Sequence, residues 1–586
     1  MKYQACTLAL LGLGVVLSDI PDARADAEAY CRKRYLGDVT AIDSPARHLN
    51  GLRQGAGRAV SPPHVAMPAP APAAPVVTGP AQEQAAADRA AKSVASSWRP
   101  EARPLQQVRP EMNRDRYPGV TPNGIHVVAE DPVSTFSADV DTAAWAVARR
   151  HILHEGRVPP ADAVRPEEFV NAFDYAYPIP GSAEEGFRPD VALLPAPWNG
   201  DRHLLRIGVK GYALTEAERP AANLVFLLDV SGSMGSADKL PLARTSICML
   251  VHELKADDRI AMVVYAGAAG VALEPTPVER KAEILDAMDR LEAGGSTAGG
   301  QGIELAYALA EANFRAGAAN RIVLATDGDF NVGIADPRHL RDYVARKRDT
   351  GIFLTVLGYG MGNYSDEMMQ ALAQSGNGVA AYIDSVDEAR RVLVRGLTGS
   401  VFTIARDVKF QVEFNPARVA EYRLIGYETR LLDRADFGND RVDAGDVGSG
   451  HTVTALYEIA LAGTATPSVE PLRYGPKPAP AVAGTGGELA VVRLRFKAPG
   501  SDTSRLIERP VTEADMVGAV DDAPADARFA AAVAWFAEAL RNSPHVPADW
   551  STIRSLADGA TGPDRFGDRH GFVDVVRASE RVAAVD

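Results

Sequence analysis

Asp229, Ser231 and Ser233 stand at alternate positions where an apolar run breaks off among small residues, in 222-ANLVFLLDVSGSMGS-236. Two later stretches carry matching groups: Thr297 in 294-GGSTAGGQG-302 and Asp327 in 326-TDGDFNVG-333. Two carboxylates and three hydroxyls form an all-oxygen set that suits a hard cation, Mg2+ first, with Mn2+ and Ca2+ also compatible. Hydroxyls coordinate without cancelling charge. An ion held by them keeps its attraction for an oxygen from outside, and an Asp or Glu of a protein partner is the natural occupant. The glycines let the loops close round a small ion.

Those residues converge only if the elements around them place all three stretches on one edge. Apolar strands at 223–229, 259–266, 321–326 and 352–359 alternate with helical segments at 239–254, 279–293, 301–314, 337–348 and 385–397. The last helix opens with a capping box, Ser385 to Glu388. Strands without polar alternation, separated by helices, predict a doubly wound, Rossmann-like α/β domain with a mostly parallel central sheet. In such sheets ligands bind outside the carboxyl ends of the strands, where all three stretches fall. Alternating strands lie on either side, at 204–212 before and at 408–414, 422–431, 452–461 and 489–496 after, and the end turns helical, as in 528–542. Domain termini often lie close together. The α/β domain is therefore expected to be inserted in, or flanked by, a β-rich body in which strands of 190–212 pair with strands after 400.

DVSGS, then GGST, then TDG, resembles the metal-ion-dependent adhesion site of von Willebrand factor type A domains, and Asp229, Ser231, Ser233, Thr297 and Asp327 match its five positions. The resemblance implies Mg2+ binding, capture of a protein ligand rather than catalysis, and a last helix, here about 385–397, able to shift on ligand engagement. Asp329 and Ser296 are candidates for the surrounding shell. With 134-STFSADVDTAAW-145 and 196-APWNG-200, the layout of about 112–586 resembles bacterial exported A-domain proteins with a C-terminal domain of unknown function. The organisation expected is a signal peptide (1–25), a disordered Ala/Pro-rich stalk (26–110), an associated N-terminal region (111–220), the A domain (221–398), a β-rich domain (399–515) and a helical C-terminal segment (516–586).

Among 586 residues the formal charge of -14 argues against nonspecific nucleic-acid binding. Lys2, the apolar run to about Leu17 and Ala23-Arg24-Ala25 read as a secretory signal, placing the protein in a bacterial periplasm or on the cell surface. No later run is long enough for a membrane helix. Cys31 and Cys248 are too far apart in sequence to suggest a disulfide framework, and Cys248 is read as a small core residue. Asp139-Val140-Asp141-Thr142 is read as a helix N-terminus capped by Asp141 or Thr142. His151 and His154 are read as a solvated helix face. Two rivals to metal-dependent binding are a hydrolase using the same cation to activate water, which lacks a histidine in the three loops, and an envelope protein in which the metal only stabilises the fold.

Overall fold

The structure, a computed structural model, describes residues 23–37, 115–138, 141–295, 299–328, 337–360, 365–396, 399, 401–463, 467–470, 472 and 487–583. In chain order the first elements are α1 (Ala23–Tyr35), β1 (His126–Val127), β2 (Val133–Ser137), α2 (Ala143–Leu153), α3 (Pro166–Val170), β3 (Asp190–Ala196) and β4 (Asn199–Lys210). The α/β part follows: β5 (Ala222–Asp229), α4 (Leu240–Glu253), β6 (Arg259–Tyr265), β7 (Ala269–Pro277), α5 (Lys281–Asp289), α6 (Gly299–Ala312), β8 (Ala319–Thr326), α7 (Pro337–Arg348), β9 (Ile352–Tyr359), α8 (Asp366–Ser375), β10 (Ala380–Ile383) and α9 (Val386–Ala389). Last come β11 (Thr403–Phe414), β12 (Val419–Ile425), β13 (Gly445–Gly448), β14 (Thr452–Leu461), β15 (Glu488–Lys497), β16 (Ser504–Thr512), α10 (Ala525–Leu540), α11 (Trp550–Asp558) and α12 (Asp568–Ala583).

The central sheet has the order β10-β9-β8-β5-β6-β7 and is parallel except for the antiparallel edge strand β7. Every residue of β5 is buried, because the pleat sends Leu224, Phe226 and Leu228 to the layer holding Ile247 and Leu250 of α4, and Val225 and Leu227 to the layer holding Ile303, Leu340 and Leu354. The expected doubly wound α/β fold is therefore present. The segment read as one helix over 385–397 is a short α-helix continued by a π-helical turn, Arg390–Arg395. Ser385 Oγ accepts from the Glu388 amide at 3.2 Å, as the capping box requires. The Glu388 carboxylate turns instead to Arg391 and Arg149.

Two antiparallel sheets form the flanking β-rich part, one ordered β1-β12-β14-β4-β3 and the other β13-β11-β15-β16 with β2 on β11. β4 pairs with β14 from His203↔Ile459 to Lys210↔Thr452, so strands from before and after the α/β part share one sheet, as expected. Their facing sides enclose a core that includes Phe136, Ile207, Phe410, Tyr457 and Leu494. A further core joins Trp145 of α2 and Phe169 of α3 to Phe529, Phe536 and Phe572 of the C-terminal helices.

Four sequence expectations need correction. The opening of the region read as stalk is helical: α1 lies against α4, with Leu36 buried and Arg34 donating to Asp289 of α5 at 3.0 Å. The remainder of that region, 38–110, lies outside the described residues, as does 1–22. Cys31 and Cys248 form a disulfide across 217 residues of sequence, because the fold brings their Cα atoms to 5.7 Å. Thr142 stands at the N-cap of α2 as expected, but its side chain makes no capping hydrogen bond and accepts instead from Arg391 at 2.9 Å; Asp141 is buried, accepts from the Ala380 amide at 2.8 Å and pairs with Arg430. His151 is fully buried between Glu155 and Tyr117, because residues 115–117 cover the helix face that periodicity alone assigns to solvent, whereas His154 is exposed.

Candidate metal centre

Asp229 is the last residue of β5 and Asp327 the first after β8, so the parallel pairing of these two central strands sets both carboxylates at the same sheet edge. Both are buried. The chain turns sharply after Asp229, and the Ser231 amide donates to Asp229 Oδ1 at 2.8 Å while Thr326 Oγ1 reaches Oδ2 at 3.4 Å. Ser231 Oγ and Ser233 Oγ lie 3.0 Å apart, with Ser231 buried and Ser233 half-buried. Two hydroxyls and a carboxylate are thereby gathered within one turn.

The second loop is tied to the first through backbone. The Gly294 amide donates to the Val230 carbonyl at 2.8 Å, and the Gly232 amide donates to the Gly295 carbonyl at 3.0 Å. Gly295 sits at φ +81, which only glycine adopts without strain. Thr297 and Ser296 follow directly in sequence, but they lie outside the described residues, as does Asp329. Close packing sets the helix behind this loop: a Cβ on Gly302 would come within 3.0 Å of Tyr265 and 3.1 Å of Leu227.

Burial dominates the electrostatics at Asp229. Burial, reinforced by the neighbouring Asp327 charge, pushes the Asp229 carboxyl up to about 6 against the hydrogen bonds from Ser231. Tyr265, opposite Asp229 in the strand register, is buried beside it, and burial and the Asp229 charge raise its hydroxyl well above the ordinary tyrosine value. Sequence reasoning missed one charged neighbour. Lys239, just before α4, is buried, and its Nζ lies 3.0 Å from Asp327 Oδ2. Its only sequence signal is a lysine at a helix start, where cations are disfavoured. Two buried carboxylates, a pair of adjacent hydroxyls and an Asp229 carboxyl that resists ionisation are a donor set that fits a small divalent cation. Among the described residues Asp229, Ser231, Ser233 and Asp327 share this rim.

Comparison with known proteins places three family models in succession along the chain: one described as von Willebrand factor over residues 111–206, the von Willebrand factor type A domain over 223–393, and the C-terminal part of uncharacterized protein YfbK over 399–582. Escherichia coli (strain K12) uncharacterized protein YfbK is 43% identical over 478 residues, covering 80% of this chain and 82% of that protein. Human inter-alpha-trypsin inhibitor heavy chain H4 is 29% identical over 28% of this chain and 18% of its own length. Among solved structures, a von Willebrand factor type A protein from Catenulispora acidiphila covers 69% of this chain and 90% of its own at 16% identity, with a TM-score of 0.37. With most of each chain covered in the match to the Escherichia coli relative and a type A domain at its centre, this chain belongs to the family of von Willebrand factor type A proteins that carry a YfbK-type C-terminal region.

Proposed function

We propose that this chain is an exported protein-binding module, an adhesion or scaffold protein, that captures an acidic side chain of a partner through a divalent cation at the rim described above. The observation that carries the reading is the gathering of Asp229, Ser231, Ser233 and Asp327 at the carboxyl edge of the central sheet of a type A domain, a domain that usually serves as an interaction module. Asp229, Ser231 and Ser233 would hold the ion, Thr297 would add a hydroxyl from the tied loop, and Asp327 would complete the set, directly or through water. Bound there, Mg2+, or Mn2+ or Ca2+ in its place, supplies a coordination position for an oxygen from outside the chain.

The protein's own part is positional. The Ser231 amide and Thr326 hydroxyl fix the Asp229 carboxylate, the 294–295 backbone bonds hold the second loop in register, and Ser231 orients Ser233. Export is supported by the Cys31–Cys248 disulfide, since such bonds persist in oxidising compartments. Among the described residues no helix is long and apolar enough to cross a membrane. The test is retention of partners from a bacterial envelope extract by the purified chain in Mg2+, in EDTA, and by a folded Asp229→Ala variant. A partner kept only by the unaltered chain in Mg2+ supports capture through the ion. Equal retention in all three refutes it, and chelation that lowers Tm without changing retention points to metal as a fold stabiliser alone.

A further inference from the structure

Lys239 occupies the N-cap of α4, makes no capping hydrogen bond there, and is buried. Helix N-caps favour Ser, Thr, Asp or Asn, and the partial positive charge of a helix N-terminus repels a cation. Burying an ammonium is costly unless it is paired. The placement violates two local preferences and has one evident return, the 3.0 Å contact between Nζ and Asp327 Oδ2. Local rules tend to be broken in this way where a residue serves a site.

The route of the side chain is also built in. The Lys239 stem runs over Gly360, where an added Cβ would lie 2.2 Å from Lys239 Cγ and 2.4 Å from Cε. Gly360 has φ +74, so both its conformation and its missing side chain serve this path. Gly360 is held in turn, because its carbonyl accepts a hydrogen bond from the buried Tyr382 hydroxyl.

We propose that Lys239 is a resident counter-cation of the rim, a positioning residue that holds Asp327 and sets the site's affinity for divalent cations and its preference for acidic ligands. The inference rests on the metal-binding reading above. Among the described residues, with Asp229 and Asp327 ionised, Lys239 leaves the rim with one net negative charge. A divalent ion then brings the total to one positive charge, the state that attracts a carboxylate. Without Lys239 the same ion would be fully neutralised, so the ion would bind more tightly and an acidic partner less so. In the metal-free chain Lys239 pairs with a carboxylate that would otherwise be buried beside another of like charge.

The experiment titrates Mg2+ alone into the full chain by calorimetry, comparing the unaltered protein with Lys239→Met, which keeps the apolar stem, and Lys239→Arg, which keeps the charge. Lys239→Met is expected to bind Mg2+ at least tenfold more tightly and to melt lower in EDTA, with Lys239→Arg close to the unaltered chain. Adding Asp327→Asn to the unaltered chain and to Lys239→Met should shrink the difference between them, by the part that Lys239 exerts through holding that carboxylate. Should Lys239→Met fail to fold, Gly360→Ala displaces the same side chain and is expected to tighten Mg2+ binding in the same direction. Mg2+ binding by the unaltered chain that Lys239→Met leaves unchanged or weakens overturns this inference while the metal reading stands. No binding by either protein overturns both.

Discussion

Asp229 shows how a single residue ties burial to chemistry. A carboxyl pushed up to about 6 by burial and by Asp327 is one that a nearby divalent ion would hold ionised. Metal should therefore stabilise the native chain, by about 2.7 kcal/mol when the free ion stands at roughly a hundred times its Kd. Thermal melts with and without Mg2+ check this: the unaltered protein is expected to gain stability, and Asp229→Ala to melt at the same temperature in Mg2+ and EDTA. The type and spacing of Asp229, Ser231, Ser233 and Asp327 were legible in the sequence because the motif is local and each segment ends an apolar strand. Lys239 was not, since nothing in the sequence shows that a lysine at a helix start folds inward to a carboxylate 88 residues away.

Helix α1 is the clearest case of an element that local sequence does not explain. It holds no Leu, Ile, Val, Phe or Met, and its 13 residues are too few to form a stable helix alone. The Cys31–Cys248 disulfide, the buried Leu36, and ion pairs from Glu28 to Arg390 and from Arg34 to Asp289 hold it on α4, the π-helical turn and α5. Replacing both cysteines by serine is expected to cost about 2–4 kcal/mol in denaturant titrations, and thiol labelling of the unaltered unfolded chain, with any signal peptide removed, should find no free cysteine. A second expectation concerns β13. Its Asp446 accepts from Asn377 and the Asp407 amide, and burial, together with the charges of Asp407 and Asp443, pushes it up to about 7. A carboxyl with a raised folded-state pKa binds its proton more tightly when native, so stability should fall as pH rises from about 4 towards 7. Asp446→Asn should flatten that part of the stability curve measured by denaturant titration, and an unchanged slope would speak against it. Among the strands that sequence missed, β10 has only four residues, and β7 and β16 are edge strands with proline and mixed burial.

For the whole molecule, the region before the α/β part acts as cement. Arg149 of α2 reaches Asp384 and Glu388 at 3.0 Å, Arg165 reaches Asp366 at 2.7 Å, and Trp145 packs against Phe169, Phe173 and Phe572. Trp145→Ala is expected to cost about 3–5 kcal/mol in denaturant titration, because it opens a cavity where α2, α3 and α12 meet. A loss well under that range would show that the C-terminal helices do not depend on this joint. The pairing of β4 with β14 was legible from alternating strands on both sides of a self-contained α/β pattern, whereas the disulfide was not, because only the folded chain brings Cys31 to Cys248. The central claim is that the rim holds a divalent ion, and anomalous diffraction from crystals grown in Mn2+ tests it most directly. A peak within coordinating distance of Ser231 Oγ, Ser233 Oγ and the Asp229 carboxylate, lost in Asp229→Ala, is the expected result; a fully ordered rim with no peak, or a peak elsewhere on the chain, would contradict it.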